Sequence, residues 1–89
     1  MPRVVFTSHL QRHVDCPEVE VPGTTLRETL DAVFADNQPL RGYVLDDLNR
    51  LRQHMMIFID GSIIGDRDGL SDPVSESSEI YVMQALSSG

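Results

Sequence analysis

The sequence predicts an α+β fold, a mixed sheet of about five strands with one main helix on one face. Three observations predict it. Short alternating or continuous apolar runs recur along the chain, separated by Pro, Gly and Asp turn signals. A single stretch carries helical periodicity behind a capping box. Finally, 89 residues of which 40% are hydrophobic supply one core and leave no room for a second domain.

Arg3 to Ser8 (RVVFTS) reads as the first strand, with Val4 and Phe6 on one face and Val5 and Thr7 on the other. His9 to Pro17 is polar, ends in proline and reads as a loop. Glu18-Val19-Glu20-Val21 alternates strictly, a half-buried strand whose glutamates face water, and Pro22-Gly23 stops it. Thr25-Leu26-Arg27-Glu28 is a capping box, in which the Thr25 hydroxyl accepts from the Glu28 amide and the Glu28 carboxylate reaches back to the Thr25 amide. Leu26, Leu30, Val33 and Phe34 then form one apolar stripe, and Asp36-Asn37 with Pro39 ends the helix near residue 36.

Tyr43-Val44-Leu45 reads as a short strand and Asp46-Asp47 as a turn. Met55 to Ile59 (MMIFI) is the strongest strand signal. Asp60-Gly61 follows as a hairpin turn of type I′, and Ser62-Ile63-Ile64 returns. Residues 65–78 are a long connection with Leu70 and Val74 as buried plugs, and Ile80 to Met83 is the last strand. The first and last strands both look central. Two strands, a helix and then more strands describe a sheet covered on one face by the helix, as in a β-grasp fold.

Charge excludes several functions. Fourteen acidic against seven basic residues give a net charge of −7. Such a chain is a poor ligand for nucleic acid, whose affinity rests on cationic neutralisation of phosphates, and for anionic membranes. It suits a partner with a basic face. All seven basic residues are arginine, so lysine Schiff bases, P-loops and lysine acid–base chemistry are excluded. Cys16 is the single cysteine, and neither a signal peptide nor a membrane span is read, so the expected location is cytoplasmic. His9, His13, Cys16 and His54 follow no zinc-finger spacing, and no metal site is expected. Gly65 to Gly69 with Asp72 lacks the alternating oxygen ligands and closing Glu of a calcium loop and reads as a turn. Asp46, Asp47, Glu76 and Glu79 read as solvated faces.

Four segments together resemble one family: RVVFTS, TLRETL, the hairpin MMIFIDGSII and the closing GLSDPVSESSEIYVMQALSSG. Across essentially its whole length the chain resembles the MoaD/ThiS-type sulfur carriers, prokaryotic ubiquitin-like β-grasp proteins. Its length and the stretch LDDLNRLRQHMMIFIDG resemble the longer molybdopterin and cysteine-biosynthesis carriers more than the thiamin carriers. The resemblance implies a β-grasp domain over 1–86 and a flexible tail over 87–89. It also implies that the protein is a co-substrate and not an enzyme. Gly89 would be adenylated by an E1-like adenylyltransferase and converted to a thiocarboxylate, and its sulfur delivered to a precursor held by a synthase. The carrier binds no cofactor itself, and the ATP is used by the activating partner.

The tail suits that chemistry. Gln84 to Gly89 spans at most about 20 Å when extended, and a terminal glycine lets the backbone approach a nucleotide closely. The family ends in Gly-Gly, whereas this chain has Ser88 before Gly89. That departure admits a partner with a wider channel, an altered chain, or a relative without carrier activity. The alternative is therefore a non-catalytic ubiquitin-like binding module or regulatory subunit with an inert tail. If Val4, Phe6, Ile57, Ile59, Ile80 and Val82 face the helix, then Val5, Phe58, Tyr81 and Met83 face outward beside Ile63. With Leu86, these are the residues the resemblance assigns to partner binding. An exposed apolar patch on a small protein marks an interface.

Overall fold

The computed structural model describes residues 1–6 and 18–84. Five strands form one sheet: β1 (Arg3–Phe6), β2 (Glu18–Glu20), β3 (Met55–Ile59), β4 (Ser62–Ile63) and β5 (Glu79–Gln84), in the order β2-β1-β5-β3-β4. The last strand is therefore central. It pairs in parallel with β1 and antiparallel with β3, while β2 and β4 are antiparallel edges. The parallel β1–β5 pair requires a long crossover, and the two helices among the described residues lie within it.

Helix α1 runs over Leu26–Asp36 and buries Leu26, Thr29, Leu30, Val33 and Phe34. The Thr25 hydroxyl accepts from the Glu28 amide, as the capping box requires. The Glu28 carboxylate, however, reaches one residue further than expected. It accepts from the Thr24 amide at 2.8 Å and the Thr24 hydroxyl at 3.1 Å. Two further orphan amides of the first turn are satisfied at long range, Leu26 by the Asp72 carbonyl and Arg27 by the Leu70 carbonyl. Gly23 allows the preceding loop to lie against the helix, because a Cβ there would stand 2.8 Å from the Thr29 methyl.

The expected strand at Tyr43-Val44-Leu45 is instead largely helical: α2 covers Gln38–Val44, with Leu45 as its C-cap. Pro39, read as the end of α1, sits in the first turn of α2, where no amide donor is needed. Asn37 separates the helices, donating its amide to the Phe34 carbonyl and accepting from the Leu40 amide. Leu40 and Val44, four residues apart, put α2 into the same core as α1.

The core joins both helices to one sheet face through Val4, Phe6, Met55, Ile57, Ile80 and Val82. Val19, Ile59 and Val74 pack against it partly buried, and Leu70 is fully buried, as the sequence predicts for the long connection. Asp60 (φ 51°) and Gly61 (φ 87°) both adopt left-handed conformations, the requirement of the predicted type I′ turn. The Asp60 carboxylate also receives the Glu79 amide at 2.9 Å and the Ser78 hydroxyl at 3.2 Å, tying the hairpin to the start of β5.

Candidate functional site: the outer sheet face and the tail root

Strand alternation places the residues opposite the core on one outer surface. Register aligns them into a row across all five strands: Glu18, Val5, Tyr81, Phe58 and Ile63. A second pair, Met56 and Met83, stands directly across β3 and β5. Val5, Met56, Phe58, Tyr81 and Met83 are half-buried, and Ile63 is 55% exposed. The structure thus brings together five residues predicted for partner contact, Val5, Phe58, Ile63, Tyr81 and Met83. It adds Met56, which the sequence reading missed. The signal for Met56 was its position two residues before Phe58, hidden because MMIFI is apolar on both faces.

This surface has a polar end. Arg3 pairs with Glu79 at 3.0 Å and with Glu18 at 3.7 Å, and the Tyr81 hydroxyl donates to Glu79 at 3.0 Å. The Glu79 bond, followed by its charge, holds the Tyr81 phenol above its ordinary pKa and raises that of the Arg3 guanidinium. Glu79 is therefore part of an ion-pair cluster and not simply solvated. Asp46 is likewise engaged, accepting from the Leu48 and Arg50 amides and pairing with the Arg50 guanidinium at 3.2 Å. Those amide bonds, that of Arg50 foremost, lower its pKa.

At the other end of the surface Met83 is followed by Gln84, the last residue of β5. Strand β5 thus delivers the chain at the edge of the Met56–Met83 pair. Leu86, Ser88 and Gly89 lie outside the described residues, as do His9, His13 and Cys16. His54 is exposed beside β3. Residues 65–72 form a self-capped turn. Asp66 accepts from the Gly69 amide and the Ser71 hydroxyl, and Asp72 from the Gly65 and Asp66 amides. Both carboxylates are occupied by backbone, which is the role of a turn residue and not that of a calcium ligand.

A mixed sheet with parallel first and last strands, helices in the crossover and an apolar outer face defines a ubiquitin-like β-grasp protein. Its solved neighbours include CysO, small archaeal modifier protein 1 and Urm1. A chain of the BexX/CysO complex of Amycolatopsis orientalis superposes with a TM-score of 0.85 at 17% identity, covering 100% of both chains. SAMP1 of Haloferax volcanii gives 0.80 at 20% identity over 99% of this chain and 98% of its own. Mycobacterium tuberculosis CysO gives 0.84 at 16% identity over 97% and 100%. What they share with this chain is the fold. No family model and no curated protein matches the sequence. Among the described residues no helix is long and apolar enough to cross a membrane.

Proposed function

We propose that the chain is a ubiquitin-like sulfur carrier. The observation that carries this reading is the continuity of the outer face with the tail. Val5, Tyr81, Phe58, Ile63, Met56 and Met83 form a patch from which β5 leads directly to residues 85–89. A partner that grips the patch receives the root of the tail, Gln84, in a fixed position, which shortens the search of the chain end for a buried adenylation site. The Gly89 carboxylate would attack the α-phosphorus of ATP on an E1-like adenylyltransferase, with pyrophosphate leaving. A sulfur donor would then displace AMP at the carbonyl, and a synthase would collect the sulfur for a pathway of molybdopterin or cysteine type.

The test is mass spectrometry after incubation with ATP, the E1-like adenylyltransferase of the same source and a sulfur donor. The expected product carries one oxygen replaced by sulfur at Gly89. An unmodified wild-type chain alongside a modified Ser88→Gly chain would overturn the reading in favour of a binding module with an inert tail.

A further inference from the structure

The chain has four methionines, and the fold gives them unlike surroundings. Met55 belongs to the core and is fully buried. Met1 is 62% exposed and borders a hollow with Glu20, Glu76 and Glu79, at the polar end of the sheet. Met56 and Met83 lie between these extremes, half-buried on the outer face.

The register sets these two side by side. Asp60 donates its amide to the Glu79 carbonyl across β3 and β5. The alternate pairs that follow, Phe58 with Tyr81 and Met56 with Met83, are therefore of the same hydrogen-bonded kind. Their Cα atoms stand about 5.5 Å apart, so two unbranched side chains share one patch of surface. The methionine pair holds the end of the face nearest Gln84, and the Arg3–Glu79–Tyr81 cluster holds the other. Leucine or isoleucine would fill the same area. A thioether differs from them in one respect: a mild oxidant makes it polar, and reversibly. Met55 escapes because each residue of a strand inverts its neighbour.

We propose that Met56 and Met83 form a reversible oxidation site that turns the outer face from apolar to polar while the core stays intact. Its consequence for docking rests on the carrier reading; the site itself does not. In the step a thioether sulfur attacks one oxygen of a peroxide. An S–O bond forms and the O–O bond breaks, so the sulfur is oxidised by two electrons and the peroxide is reduced. The departing hydroxide takes the proton from the sulfur-bound oxygen and leaves as water. A thiol-dependent sulfoxide reductase reverses the change, two thiols becoming a disulfide while the oxygen leaves as water. A sulfoxide oxygen needs a donor, and its neighbours on the face supply none. Phe58 has no polar group, and the Tyr81 hydroxyl already donates to Glu79. An apolar partner surface that covers the oxidised pair therefore buries an acceptor without a hydrogen bond.

The test treats the folded chain with hydrogen peroxide and locates the added oxygen by tandem mass spectrometry, which separates Met55 from Met56 by fragmentation. Met56 and Met83 should each gain one oxygen while Met55 stays unoxidised. The oxidised chain should keep the cooperative urea transition and the m-value of the untreated chain. Its affinity for the proposed activating enzyme should fall about tenfold, the effect of one buried acceptor left unpaired. A sulfoxide reductase with dithiothreitol should restore it. A Met56→Leu, Met83→Leu double variant is compared only with itself, before and after peroxide. It retains Met1, Met55 and Cys16, and its affinity should not change on treatment. Oxidation of Met55 at the pace of Met56 and Met83, or loss of the cooperative transition, overturns the proposal. So does an affinity unmoved by oxidation, a fall that the reductase does not reverse, or an equal fall in the double variant. An untreated chain that does not bind the enzyme counts against the carrier reading alone, because the oxygen map and the unfolding curves judge the site without the enzyme.

Discussion

Leu70 is fully buried at a φ of 56°, so a single residue carries two opposed effects. Its side chain fills core volume, while its Cβ crowds a left-handed backbone at about 1–2 kcal/mol. Leu70→Ala removes the packing and keeps the crowding, and should cost about 2–5 kcal/mol, the range for buried leucines. Leu70→Gly removes one more buried methyl, about 0.8 kcal/mol, and frees the unfolded chain by about 0.4–1 kcal/mol. It also removes the left-handed penalty, which offsets both. The glycine and alanine variants should therefore agree within about 0.5 kcal/mol. Leu30, equally buried but in the middle of α1, is the control. There glycine has no backbone advantage, and Leu30→Gly should lie about 1.5–2 kcal/mol below Leu30→Ala. Urea unfolding with a common m-value measures all four variants. A gap at position 70 as wide as that at position 30 would refute the strain argument.

Phe58→Arg should abolish binding to the proposed activating enzyme while the unfolding free energy from urea curves changes by only about 0.5 kcal/mol, since Phe58 lies outside the core; unchanged affinity in calorimetry sinks the docking face. Thr25→Ala should lose about 1 kcal/mol, read from the same unfolding curves; a loss above about 2 kcal/mol would contradict the sharing of the helix start with the Leu70 and Asp72 carbonyls. Asp66 is held below the ordinary carboxylate pKa, first by the Ser71 hydroxyl and then by the Gly69 amide. Its contribution is thus complete above the unfolded value of about 4 and is lost as pH falls through the lower folded value. The Tm difference between wild type and Asp66→Asn should be largest at neutral pH and close on acidification; a difference that widens in acid is the contrary result.

The sheet was legible because its signals are local. Alternation in Glu18–Val21, the Asp60-Gly61 turn and the apolar run 55–59 each report a backbone state directly. The inside–outside division followed, since each residue of a strand inverts its neighbour. Helix α2 was not legible for two reasons. Tyr43-Val44-Leu45 is β-prone in isolation, and Pro39 signals the end of one helix as readily as the start of another. What decides is the depth of Leu40 and Val44 beneath the sheet, a tertiary fact. The long-range capping of α1 by residues 70–72 has no sequence signature, because backbone carbonyls are common to every residue. Conversely Ser88 and Gly89 were visible only in sequence.

The acidity of the chain takes a specific form on the outer face. Its described strand positions carry three carboxylates, Glu18, Glu20 and Glu79, and one guanidinium, Arg3, which already pairs with two of them. A basic partner group approaching Val5 and Tyr81 must therefore compete with Arg3 for Glu79. Removing Arg3 exposes both glutamates to the partner at little cost to the fold, since exposed ion pairs contribute about 0–1 kcal/mol. Arg3→Gln should accordingly speed association with the proposed activating enzyme at low ionic strength. The gain should vanish near 1 M salt, where the screening length falls to about 3 Å. Stopped-flow association rates across a salt series decide it. A slower rate for Arg3→Gln at low salt would mean that Arg3 itself meets an acidic partner group, and that the face is read by a partner of the opposite charge.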